Sequence, residues 1–150
     1  MSRPPKPFVI LFAEDDEGHA FLVQKNLERS GVSNQVVHVT DGRAALDFVR
    51  REGPYAERNR NEPLLLILDI NMPKLDGIQV PVQLKSSSKT ATIPAIMLTT
   101  TDDPQEIDRC YQLGCSAYIS KPVDYEAFAE AVKRLGMFLQ IVQVPLELDE

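Results

Sequence analysis

The sequence predicts a doubly wound α/β domain, five short parallel strands alternating with five helices. Three observations predict it. Short apolar runs recur along the chain, as strands buried on both faces of a parallel sheet should read. Between them apolar residues return at helical spacing, so strand and helix alternate throughout. With 150 residues, 43% of them hydrophobic, the chain also has the size of one domain that buries its core without metals or disulfides.

In order, a leader with Pro4, Pro5 and Pro7 gives way to the run Phe8 to Ala13, the first strand, which stops at Glu14-Asp15-Asp16-Glu17. From His19, the residues Ala20, Phe21, Val23 and Leu27 recur at near-helical spacing up to Ser30-Gly31, a helix end. Asn34 to Val39 reads as the second strand. Asp41 is the N-cap of a helix carrying Ala44, Ala45, Leu46, Phe48 and Val49, expected to end near Gly53. Residues 53–63, GPYAERNRNEP, show no periodicity and read as a loop longer than the common connection of about two to six residues. Then follow the strand Leu64 to Asp69, a helix from Gly77 to about Ser86, and the strand Ala95 to Thr99. A helix starts at Pro104, where proline fits the first turn. Ala117 to Ser120 is the fifth strand and Tyr125 to about Phe138 the fifth helix.

Open α/β sheets bind ligands at the carboxyl ends of their strands. The tips carry Glu14-Asp15-Asp16, Asp69, Thr99-Thr100 and Lys121-Pro122. Carboxylates crowded on one edge repel unless a cation binds or one group takes up a proton. Hard oxygen ligands of this kind suit Mg²⁺, which keeps several waters and favours a phosphate as partner. Phosphoryl transfer to a carboxylate needs a nucleophile and cations over the developing charge. Asp69 supplies the nucleophile, and Glu14 and Asp15 the metal ligands. Lys121 and the Thr99 hydroxyl would contact phosphoryl oxygens.

Composition removes other classes. A formal charge of −6 argues against a nucleic-acid surface, which needs clustered Lys and Arg. The start is too quickly charged for a signal peptide, and no apolar run approaches the ~18 residues of a membrane span. A cytoplasmic protein is expected. Cys110 and Cys115 have no second pair and no neighbouring His, so they read as reduced, partly buried thiols.

The stretches ILFAEDDE, LILDINMPKLDG, IMLTTTD and AYISKP stand in the order and spacing of the receiver domain of two-component response regulators, which the chain resembles over nearly its whole length. The resemblance implies a flavodoxin-like sheet of order 2-1-3-4-5. It implies a single-domain response regulator: Asp69 accepts a phosphoryl group from a sensor histidine kinase, and the chain is a switch more than an enzyme. Glu14 and Asp15 resemble the family's acidic pair, and Asn71 the residue lending its backbone carbonyl to Mg²⁺. Thr99 resembles the switch hydroxyl, Tyr118 the switch aromatic and Lys121 the family's lysine. The family also suggests a cis bond between Lys121 and Pro122. Glu14 departs from the commoner Asp, and Thr100 stands where many receivers have a small residue, which implies hindered attack of water on the phosphoaspartate.

Each residue also has a plainer reading. Asp69 alone could be a turn former, Asp16 a charge favoured by the next helix dipole, and Tyr118 ordinary packing. Lone His19 and His38 lack ligand partners at metal spacing and read as bland, although His19 opens the helix that in this family meets the kinase. A Mg²⁺ phosphatase of the haloacid dehalogenase type would need D-x-D, and Asp69-Ile70-Asn71 lacks the second acid. A receiver that works without phosphate would lack strand-tip residues, and none is missing.

The expected layout is a receiver over residues 1–138 and an apolar arm over 139–150, with no output domain. Leu139, Ile141, Val142, Val144, Leu146 and Leu148 make this tail too hydrophobic for a solvated end, so it folds back or extends onto a second subunit. The long loop, the two-Thr step and the arm resemble the stand-alone regulators partnered with bacterial and cyanobacterial phytochrome kinases. That narrower likeness implies homodimers through the face of the fourth helix, fifth strand and fifth helix, plus the arm.

Overall fold

A computed structural model describes residues 8–145 except 59–61, 71, 73–77, 100–102 and 123. The strands are β1 Val9–Ala13, β2 Val36–Val39, β3 Leu64–Leu68, β4 Ala95–Thr99 and β5 Ala117–Ser120. The helices are α1 Glu17–Arg29, α2 Gly42–Arg50, α3 Gln79–Lys85, α4 Pro104–Gln112 and α5 Tyr125–Leu139. The sheet runs β2-β1-β3-β4-β5 with every pair parallel.

The three central strands are apolar at nearly every position because both faces are covered, and their residues alternate between two cores. Leu11, Leu66 and Met97 face α2 and α3, with Leu46, Val49, Val80 and Leu84. Ile10, Phe12, Ile67 and Leu98 face α1 and α5, with Val23, Leu27, Phe128, Val132 and Leu135. The edge strands β2 and β5 are mostly half-exposed, which follows from having a single neighbour.

Aspartates start four of the five helices, α3 being the exception. Asp16, Asp41, Asp103 and Asp124 each accept a backbone N–H of the first turn, from His19, Ala44, Gln105 and Ala127. Asp16 thus has the plainer of its two readings. α1 begins at Glu17, two residues before the apolar spacing starts, because capping turns carry no apolar period. α2 stops at Arg50, earlier than expected, because Arg51 takes the left-handed conformation at φ 57°. The long connection is not featureless: it holds a 3₁₀ turn at Gly53–Tyr55. Arg58 ties it down, donating to the carbonyls of Phe48 and Val49 at 2.9 and 3.1 Å and to Glu62, with its guanidinium over the Phe48 ring.

No peptide bond among the described residues is cis, so the Lys121–Pro122 bond is trans, against the expectation. An X-Pro amide keeps a trans preference of about 0.5–1 kcal/mol. Here the Lys121 N–H donates to the Thr99 carbonyl at 2.6 Å with that geometry.

At the other end, Leu139 is buried, and Val142 and Val144 pack on the α1–α5 core, so the tail folds back as far as the described residues reach. Gln140 donates to the Ser30 carbonyl at 2.7 Å, while Ile141 is exposed. Leu146 and Leu148 lie outside the described residues. No helix among those described is long and apolar enough to cross a membrane.

Candidate functional site

The order β2-β1-β3-β4-β5 sets the tips of β1, β3, β4 and β5 along one edge, and the expected residues meet there. Glu14 leaves β1 with its N–H on the Val39 carbonyl, and Asp69 leaves β3 with its N–H on the Ala13 carbonyl at 3.1 Å. Glu14 is fully buried, Asp69 nearly so and Asp15 exposed. Their carboxylates offer oxygens within 4.8 Å of one another, a donor set of hard oxygens that fits a divalent cation.

Lys121 enters this cluster from beyond β5. Its ammonium donates to Glu14 Oε1 and to Asp69 Oδ2, the latter at 3.1 Å, with both lysine and glutamate side chains almost wholly out of water. Burial pushes the Glu14 carboxyl up to about 7; the Lys121 contact opposes the rise and the neighbouring Asp69 adds to it. The ammonium therefore serves as counter-charge to a crowded acidic pair.

Thr99, at the tip of β4, is fully buried, and its Oγ1 has no hydrogen-bond partner among the described residues. A buried unsatisfied hydroxyl is costly unless it has a task. Tyr118 pairs with Met97, two residues before Thr99 on the same face of β4, so it lies on Thr99's side of the sheet. It is half-buried against the α2–α3 core, and its N–H donates to the Tyr111 hydroxyl at 3.1 Å. Asn71 and Thr100 lie outside the described residues.

Both histidines read as bland touch the site. His38 Nε2 bonds the Glu14 carbonyl at 2.8 Å and must be the donor there. His19 Nδ1 lies 3.2 Å from Lys121 Nζ and 3.9 Å from Glu14 Oε1, its ring stacked on Phe128 at 5.8 Å. Strand order holds the missed signal for His38, since β2 pairs with β1 and sets Phe12 opposite His38. For His19 the signal is its place in the first turn of a helix that starts beside the acidic pair, where side chains lean back toward the N-terminus.

Comparison with known proteins identifies the family. Residues 10–133 match the response regulator receiver domain family. The chain is 32% identical over 145 residues to the response regulator Rcp1 of Synechocystis, covering 96% of each protein. A Mn²⁺-bound structure of Rcp1 superposes with a TM-score of 0.83 at 30% identity, over 93% of this chain and 99% of that one. A receiver domain from Rhodospirillum rubrum superposes at 0.87 with 41% identity, over 94% and 99% of the two chains. The phosphorylated cyanobacterial phytochrome response regulator RcpA superposes at 0.84 with 32% identity, over 93% and 99%.

Proposed function

The chain belongs to the response regulator receiver domain family, and from that premise we propose that it is a phosphorylation-controlled switch whose acceptor is Asp69. A carboxylate oxygen of Asp69 forms a P–O bond as the P–N bond of a kinase phosphohistidine breaks, the electron pair passing to the imidazole nitrogen. Water later cleaves the acyl phosphate, returning Asp69 and inorganic phosphate. The observation that carries this reading is the convergence of Asp69, Glu14, Asp15 and Lys121 at the strand tips, where the buried Thr99 hydroxyl has no partner among the described residues.

Glu14, Asp15 and Asp69, with the Asn71 carbonyl, would hold Mg²⁺, which when bound supplies positive charge to the phosphoryl oxygens. Lys121 would exchange Asp69 Oδ2 for a phosphoryl oxygen and neutralise part of its charge. Thr99 Oγ1 would donate to a second oxygen, and its inward movement would open space into which Tyr118 turns. That rotation alters the surface around β5, on which the switch is read. A metal site is supported by the Mn²⁺-bound form of Rcp1 and phosphorylation by the phosphorylated RcpA.

The kinase would be a phytochrome-type histidine kinase, as the names of RcpA and of the bacteriophytochrome response regulator RtBRR suggest. A homodimer through α4, β5 and α5 is the matching assembly. Its support, on the β5–α5 side, is an apolar groove of about 430 Å³ lined by Ile96, Ala117, Ile119, Leu135 and Phe138; Met137 and Ile141 on the same helix and just beyond it are exposed. The tail would contribute through Ile141, which stays exposed while Leu139, Val142 and Val144 pack on the chain's own core. The test is transfer of labelled phosphate from an ATP-charged phytochrome kinase to this chain, expected in wild type and lost in Asp69→Asn; a label retained by the variant overturns the assignment.

A further inference from the structure

Lys121 has three ammonium hydrogens, and the structure gives it three acceptors: Glu14 Oε1, Asp69 Oδ2 and His19 Nδ1. An ammonium cannot accept, so Nδ1 takes the hydrogen and the ring proton sits on Nε2. The three acceptors are not equivalent. Glu14 and Asp69 are the carboxylates that a cation and a phosphoryl group would engage, whereas His19 belongs to neither set. Its ring is held from α1 and pressed against Phe128 of α5, so two helices fix where its lone pair points.

We propose that His19 is a positioning residue that anchors the Lys121 ammonium at the acceptor site while the lysine changes partners. This rests on the reading of Asp69 as phosphoryl acceptor. When Lys121 leaves Asp69 Oδ2 for a phosphoryl oxygen, the His19 contact can persist, so the ammonium pivots about a fixed point instead of searching from solvent. Pre-orientation of this kind lowers the barrier to the chemical step without contacting the reacting atoms. The ring packs on Phe128 and its Nδ1 is the acceptor, and the two roles are separable by substitution.

His19→Phe keeps an aromatic ring on Phe128 and removes the acceptor; His19→Asn keeps an oxygen near the Nδ1 position and removes the ring. With acetyl phosphate and Mg²⁺ as probe and intact mass as readout, His19→Phe is expected to phosphorylate roughly tenfold more slowly and His19→Asn within about threefold of wild type. In the Lys121→Ala background, His19→Phe should change the rate less than about twofold, because the contact it removes is already gone. Equal rates for wild type and His19→Phe overturn the proposal, as does a full additive effect in the Lys121→Ala background. Nitrogen NMR of the unphosphorylated protein gives a second readout: Nδ1 unprotonated and Nε2 protonated for His19, a preference lost in Lys121→Ala. A proton on Nδ1 of the wild type overturns the contact itself. If the NMR pattern holds but wild type takes no phosphoryl group, the acceptor reading has failed instead, and the positioning role fails with it.

Discussion

Lys121, beyond the tip of β5, donates to Asp69 Oδ2 at the tip of β3 across 3.1 Å, reaching over β4, the strand that lies between them. The ammonium thereby occupies the ground a divalent cation would claim, next to Glu14 and Asp69.

Competition follows. Lys121→Met removes the internal counter-charge, so Mg²⁺ should bind the variant more tightly, by about five- to tenfold, while its metal-free form melts lower because two buried carboxylates lose their partner. Titration calorimetry and thermal melts with and without Mg²⁺ check both; weaker Mg²⁺ binding by the variant would show that lysine and metal do not compete.

A second prediction concerns the seam between α1 and α5. A Cβ at Gly136 would lie 1.9 Å from Ser30 Oγ and 3.0 Å from Ser30 Cβ, and that hydroxyl is already committed to the Leu27 carbonyl at 2.8 Å. Alanine gains up to about 1 kcal/mol of helix propensity over glycine, but the overlap costs about 1–3 kcal/mol. Gly136→Ala should lower stability in urea unfolding, and Ser30→Gly in the same chain should recover most of the loss.

Arg58 makes a third test. It donates to the carbonyls of Phe48 and Val49 at the end of α2, where the Arg51 N–H also reaches Phe48. Arg58→Ala should cost about 1.5–3 kcal/mol in urea unfolding, and Arg58→Lys most of that, since an ammonium cannot reproduce the fork.

The thiols supply a pH test. Burial pushes Cys110 up to about 11 from 9.0, and burial raises Cys115 as well. The folded value lies above the unfolded one, so the contribution of Cys110 to stability is complete below pH 9 and is lost as pH rises through about 11. A thiol reagent at pH 8 should label the native chain far more slowly than the urea-unfolded chain, where both cysteines react.

The proposed dimer is best tested by point substitution. Truncation after Phe138 would strip Leu139 from the core, so loss of association would be ambiguous. Ile141, 80% exposed, is the cleaner probe. Ile141→Asp should shift sedimentation toward monomer with unchanged melting, whereas an unchanged dimer places the interface elsewhere.

The sheet was legible because β1, β3 and β4 are buried on both faces, which leaves an unbroken apolar run whose end marks the tip. The acidic pair, Asp69 and Thr99 were legible for the same reason, since a polar residue ending such a run needs an account, whereas Lys121 follows the half-exposed β5 and was legible through the resemblance of AYISKP to the family. Boundaries set by caps were less so, since Asp16 and Arg51 act through backbone geometry that hydrophobic spacing does not record. His19 and His38 escaped because their partners are far away in sequence, and only the assembled sheet brings them to Glu14 and Lys121. The tie from Arg58 to Phe48 and Val49 is hidden likewise inside a segment without periodicity.

Everything proposed for the switch depends on Asp69 accepting a phosphoryl group with the help of a divalent cation. Intact mass of wild type and Asp69→Asn after incubation with acetyl phosphate, with Mg²⁺ and without it, tests this most directly. Wild type should gain one phosphoryl mass only when Mg²⁺ is present, and Asp69→Asn none; an equal gain in the variant, or no gain in wild type with Mg²⁺, would overturn the assignment of Asp69 as acceptor.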